Sequence, residues 1–243
     1  VGRSVNKMLK TILLKKTPEV PIGPQCDDPY TCPLHDMCWD FLPADSVFTL
    51  YSLRQKKGFD LLRKHIFNVL DVPENVPLTT KQKIQMEALR TRKPHVSKDQ
   101  IDEFLRSLVY PLYFLDFETF GTAIPLLDNV HPFQQVPFQF SLHVVRSQGG
   151  NPEHYGFLAE DASEPRPELL GRLRSLLGDR GSIVSYNIVF EKGRLKECAA
   201  VFKEFESWHQ GVAVRFVDLM QPFRKFAYYH PEQKGSASIK SVL

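Results

Sequence analysis

The chain has no run of about 18 apolar residues, which excludes an ordinary membrane-spanning helix. Its opening residues lack a secretory pattern, because Lys7, Lys10, Lys15 and Lys16 interrupt the apolar positions, so a cytoplasmic compartment is expected. Strong net charge is missing too. A value of +3 over 243 residues neither requires nor excludes nucleic acid, and any basic surface must be local. Cysteine is scarce, at four, and no two are spaced CxxC, so a zinc finger of ordinary spacing is not expected. No internal repeat is visible. Phenylalanine is plentiful, at 18, and the length suffices for one large domain or a domain with a smaller module. Both ends read as cut: the chain starts at Val1 rather than Met, and Leu243 falls inside what reads as the opening of a helix. A fragment of a longer protein is expected.

Three segments differ in texture. In residues 1–44, Val5, Met8, Leu9, Ile12 and Leu13 follow helical spacing, Pro18, Pro21 and Pro24 end that helix, and a cysteine-rich loop follows. Residues 45–109 read as a helical connector. A helix over 47–70 broken near Gly58 is expected first, then one from Thr79 to Arg90 capped by Thr79 or Thr80, then one over 98–108 capped by Ser97. Lys81, Lys83, Arg90, Arg92 and Lys93 read as a solvated charged face. From Tyr110 to Leu243 strands and helices alternate. Strands are expected at 112–117, 136–145, 154–158, 182–186 and 212–217, and helices at 166–177 and 190–205. This order predicts an α/β fold, a mixed sheet flanked by helices.

Two acids stand out in the apolar run Tyr110–Thr119. Asp116 and Glu118 lie two residues apart, so a strand puts both on one face. Two anions at the end of an apolar strand need compensation, and a divalent metal on oxygen ligands supplies it. Paired carboxylates on such metals are the hardware of phosphodiester chemistry. Downstream, Ser185 to Glu191 reads as a strand end, a turn with Asn187 as N-cap, and a helix with an acid in its first turn. Taken alone, Glu191 would only complement the helix dipole. Asp218 follows a strand, and His143 sits on the polar side of one.

Cys26, Cys32 and Cys38 are evenly spaced within thirteen residues. In a cytosolic protein such clustering favours metal over disulfides, and soft thiolates select iron–sulfur or zinc. His35 is a possible fourth ligand in the zinc alternative. Cys198 lies on an apolar helical face with Leu195, Ala199 and Phe202 and reads as core.

The phrases Asp116-Phe117-Glu118-Thr119 and Asn187-Ile188-Val189-Phe190-Glu191 resemble the first two motifs of the DEDD 3′–5′ exonuclease superfamily, whose fold is ribonuclease H-like. More closely, Tyr110 to Leu243 resembles an uncharacterised bacterial domain-of-unknown-function family of that type. The phrases that carry this are Tyr113 to Phe120, Pro137 to His143, Ser185 to Lys192 and Gly235 to Leu243. The resemblance implies that Asp116, Glu118 and Glu191 are catalytic residues and ligands of two Mg or Mn ions. It implies a metal-dependent nuclease acting on DNA or RNA. The superfamily carries Asp where this chain has Glu191, and a final motif of His or Tyr before Asp would fall beyond Leu243, so the piece as it stands is expected to be inactive. The cysteine cluster resembles that of RecB-type and CRISPR-associated iron–sulfur nucleases. That implies a 4Fe-4S cluster on Cys26, Cys32 and Cys38 in the intact protein, with a fourth cysteine in an upstream nuclease-like domain of the same chain. Two alternatives stand beside the enzyme: a catalytically inactive nucleic-acid-binding module, and an interaction domain whose acids pair with Lys or Arg.

Overall fold

The computed structural model describes residues 2–16 and 19–243. It divides into two compact units, Val1–Arg90 and Thr91–Leu243. The boundary falls inside the segment that reads as a connector.

In the first unit, α1 (Gly2–Ile12) forms as the apolar spacing predicts, and none of its residues is buried. It ends well before Pro21 and Pro24, while Pro18 lies outside the described residues. A short α2 (His35–Trp39) follows Cys26 and Cys32 and contains Cys38. The long helix expected over 47–70 is not there. Single 3-10 turns at Val47–Thr49 and Val69–Asp71 flank α3 (Gln55–Arg63). Gly58 does not break this helix; it is buried within it, because a Cβ there would come 2.8 Å from the Phe48 ring. The expected helix break is thus a packing contact. In α4 (Thr80–Thr91), the Thr79 hydroxyl accepts from the Gln82 N–H and the Gln82 side chain accepts from the Thr79 N–H, a reciprocal cap. Gln82 and Gln85 are buried and satisfied: Gln85 donates to Thr49 O at 2.7 Å and accepts from Tyr51 N at 2.8 Å. Val47, Leu50, Leu61, Val69, Val72 and Leu89 close the core around them.

In the second unit, β1 (His95–Val96) pairs with a distant β7 (Tyr228–Tyr229), a ribbon too short to show in the sequence pattern. Helix α5 (Lys98–Arg106) follows Ser97, whose side chain makes no capping bond. The sheet comprises β2 (Leu112–Phe120), β3 (Val136–Val145), β4 (Glu153–Leu158), β5 (Ser182–Ser185) and β6 (Phe216–Asp218), in the order β4-β3-β2-β5-β6. β3 runs antiparallel to β2 and β4, whereas β2, β5 and β6 are parallel. Parallel neighbours need crossovers. Helix α6 (Arg166–Leu176) leads into β5, and α7 (Val189–Val201) with α8 (Glu206–Ala213) leads into β6. The predicted strand at 212–217 is shorter than expected because Val212 is packed as a buried residue of α8. Short helices α9 (Gln221–Arg224) and α10 (Ile239–Val242) complete the chain. The core takes Tyr113, Leu115 and Phe117 from β2, Phe140, Leu142 and Val144 from β3, Leu169, Leu170 and Leu173 from α6, and Leu195, Cys198 and Ala199 from α7. Alternate β2 residues therefore point inward, and Asp116 and Glu118 are left exposed. The chain is a mixed α/β protein with a five-stranded sheet and flanking helices. Among the described residues no helix is long and apolar enough to cross a membrane.

Candidate functional site

The carboxyl ends of the three parallel strands carry the polar residues. Asp116 pairs in register with Ser141 of β3, and Glu118 with Gln139. The register shifts between Glu118 and Thr119, an irregularity that ends the regular ladder directly after the second acid. On the other side of β2, the Ser185 hydroxyl donates to Leu115 O at 2.8 Å and locks β5 beside the acid strand. Ser185 in turn pairs with Asp218 of β6.

The turn after β5 departs from the expected geometry. Asn187 is not the N-cap of α7; that position is Ile188, with no side-chain capping bond. Asn187 instead holds the left-handed backbone conformation, φ 65°, which Asn tolerates better than most residues. Its N–H donates to Asp218 Oδ1 at 2.9 Å, as does the Met220 N–H at 3.0 Å. Arg224 lies 3.7 Å from the other Asp218 oxygen and donates to Asn187 Oδ1 at 3.3 Å. Asp218 therefore acts as an anchor for the β5–α7 turn. Arg224 carried no signal in the sequence, since nothing in its local pattern distinguishes it from a surface arginine.

That turn delivers Glu191 into the interior. Its side chain is 5% exposed, and Oε2 has no hydrogen-bond partner. Burial pushes its carboxyl up to about 7; the bond from its own backbone opposes this, and the charges of Asp116 and Asp218 add to the rise. A first-turn acid that only complemented a helix dipole would be exposed and ionised. The structure thus brings Asp116 and Asp218 to bear on Glu191 as charges, with Glu118 next along the same face of β2. Tyr186, in the same turn, donates to Ala237 O at 2.6 Å and ties the 236–238 segment to this end of the sheet. Among the described residues, no three His, Cys, Asp or Glu side chains are gathered as a ready-made metal site.

Residues 113–238 match the family model described as Domain of unknown function (DUF2779). The chain belongs to that family. The DUF2779 region spans every acid named above and both strands that flank Asp116. No match is found among curated proteins or solved structures.

Other candidates fall elsewhere. His143 is exposed, its ring 4.5 Å from that of His154, whose Nε2 lies 3.2 Å from the Ser141 hydroxyl. Cys198 is core, with burial pushing its thiol up to about 12. Cys26, Cys32 and Cys38 are free thiols, the first two half-buried and the third exposed. The Cys32 N–H donates to Cys26 O at 2.7 Å, which folds those two into one turn. His35 stacks on Trp39 with ring centroids 4.5 Å apart.

Proposed function

We propose that the DUF2779 region is a metal-dependent nuclease of the DEDD type, a 3′–5′ exonuclease acting on DNA or RNA, built on a ribonuclease H-like fold. The observation that carries this reading is Glu191 Oε2, a buried acceptor without a partner, in the field of two further carboxylates. Leaving such an atom unpaired is costly, and a divalent cation with its preference for oxygen is the partner that fits it. The site also lies where open α/β sheets place ligands, at the carboxyl ends of parallel strands. Asp116, Glu118 and Glu191 are the residues that would hold two Mg or Mn ions. When bound, such ions supply an activated water and stabilise the leaving oxygen. The protein's own part is positioning. The β2 register fixes Asp116 and Glu118 on one face, and Asp218 fixes the turn that sets Glu191. A proton on Glu191 must leave before that oxygen can serve as a ligand. The test is cleavage of a labelled oligonucleotide by the intact protein with and without Mn²⁺, beside the Mn²⁺-induced rise in melting temperature. Both should vanish in Asp116→Asn, and cleavage undiminished in that variant would overturn the assignment.

One observation favours a second reading, a nucleic-acid-binding module without catalysis. Asp218 is engaged by two backbone N–H groups and Arg224, and the acids do not close on a common point among the described residues. Oligonucleotide binding without metal-dependent cleavage in the intact protein would select it. For Cys26, Cys32 and Cys38 we propose a structural 4Fe-4S cluster completed by an upstream domain of the same chain, with zinc and His35 as the alternative. Free, partly accessible thiols support this in donor chemistry, though the three are not gathered here. Iron, sulfide and zinc analysis of anaerobically purified protein decides between them.

A further inference from the structure

Strands β3 and β4 carry a pair of histidines on the outer face of the sheet. His143 and His154 stand directly opposite each other in the antiparallel register, and both are exposed. Their neighbours Phe140, Leu142 and Val144 turn inward to the core, so the pair lies on the face that bears Ser141 and, across from it, Asp116. Exposed cross-strand positions are ordinarily filled by β-branched, aromatic or oppositely charged pairs. Two histidines, each with a metal-binding lone pair, set this position apart.

The geometry suits one shared ion. Directly opposite residues hold their Cβ atoms about 5 Å apart. The two rings lie 4.5 Å apart between centroids and are tilted by 35°. Two imidazoles on one tetrahedral ion, with metal–nitrogen bonds of about 2 Å, have centroids roughly 5 Å apart. A small opening of the pair covers the difference. The neighbours also prepare one ligand atom. His154 Nε2 lies 3.2 Å from the Ser141 hydroxyl. With its proton on Nε2, His154 donates to that oxygen and presents the Nδ1 lone pair. Holding the second ring N–H in this way is what orients and tunes a ligating histidine. Opposite Ser141 on β4 stands Gly156. A Cβ there would lie 3.8 Å from His154 Cε1, so glycine keeps a side chain out of the space beside the ring.

We infer that His143 and His154 form a two-histidine site for an imidazole-preferring divalent ion of the Zn²⁺ class. Among the described residues no third His, Cys, Asp or Glu joins them, so water fills the remaining positions. The inference goes beyond the nuclease reading and does not rest on it. Carboxylates select Mg and Mn, whereas imidazoles select Zn, Cu and Ni, so the two sites differ in the ion they take. An ion here clasps the edge strand β4 to β3 and leaves open coordination positions on the sheet face that carries Asp116.

The experiment uses the full chain without an affinity tag, stripped with EDTA and then held in excess Mg²⁺ to occupy oxygen ligands. Zn²⁺ is titrated by calorimetry. The amount bound should fall by one equivalent in His143→Thr, by one in His154→Thr, and by no more in the double variant, because the two share an ion. Replacing Cys26, Cys32 and Cys38 by Ser should keep that equivalent, which separates it from the thiolates. Ser141→Ala should weaken the site about tenfold without abolishing it. Both threonine variants should keep the metal-free melting temperature, since threonine suits an exposed strand. A measurement on wild type needs no variant: Zn²⁺ should shift His154 Nδ1 and one His143 ring nitrogen together in long-range proton–nitrogen NMR spectra. Equal Zn²⁺ stoichiometry in wild type and the threonine variants overturns the inference. So do a loss in only one of the two variants, saturation that needs millimolar Zn²⁺, and ring nitrogens that do not shift.

Discussion

Replacing Glu191 by Gln should stabilise the metal-free protein at alkaline pH. Glu191 is buried, and its carboxyl is pushed from 4.5 to about 7, first by burial and then by the charges of Asp116 and Asp218. Because the folded value is raised, protonated Glu191 favours the fold. That contribution is fully present below about pH 4.5 and is lost as pH rises through about 7. At ~1.36 kcal/mol per pH unit the whole rise corresponds to about 3 kcal/mol. Partial hydration of the site and screening of the neighbouring charges reduce it, leaving about 1–2 kcal/mol. The neutral amide of Gln escapes the penalty at every pH. With EDTA present, wild type and Glu191→Gln should melt within a degree or so of each other at pH 5, and at pH 8 the variant should melt about 3–6 °C higher. Comparing the two proteins at each pH cancels the titrating groups that do not interact with Glu191. Adding Mn²⁺ at pH 8 should reverse the order, since only the carboxylate gains a partner. A variant no more stable than wild type at pH 8, or one with the same advantage at both pH values, would falsify the buried-carboxylate account.

In the intact protein Asp116→Asn should abolish Mn²⁺-dependent cleavage and keep the circular dichroism spectrum, because it removes charge and not volume; full activity would sink its role as a ligand. Asp218→Ala strands the Asn187 and Met220 N–H groups and removes the partner of Arg224, so a loss of about 2 kcal/mol is expected by urea titration; a neutral effect would show that Asp218 is no anchor. Gly58→Ala should destabilise by about 1 kcal/mol despite the better helix propensity, because its methyl meets the Phe48 ring. A stabilised variant would mean that the Phe48 ring moves aside at little cost.

Much of this was written in the sequence. The strand at 136–145 follows from alternation, the one near 154–158 from the Gly149-Gly150-Asn151-Pro152 turn before it, and the pair Asp116 and Glu118 from their spacing on an apolar run. Positions where tertiary contacts overrule local pattern were not legible. Gly58 signals a helix break, yet a ring pressed against it from Phe48 makes glycine the residue the helix needs. Asn187 looks like a cap because Asn often is one; the left-handed turn it adopts depends on Asp218, thirty-one residues later. The burial of Glu191 is likewise invisible in one dimension, since a first-turn acid reads as a surface group until the sheet end closes around it. Arg224 and the β1–β7 ribbon depend on partners too far away in the chain for periodicity to announce them.

The clasp between Asn187 and Asp218 limits how this protein can change over time. A left-handed residue at 187 turns its N–H onto the acceptor at 218, so the turn depends on that acceptor even though Asp218 also serves Met220 and Arg224. Loss of the acceptor frees the turn to relax, and with it the helix that delivers Glu191. Relatives that keep the buried acid should therefore keep Asn or Gly at 187 along with Asp at 218, and those that have lost one should be found to have drifted at both. Substitutions at these two sites should appear as pairs across descent, although they belong to different elements of the chain.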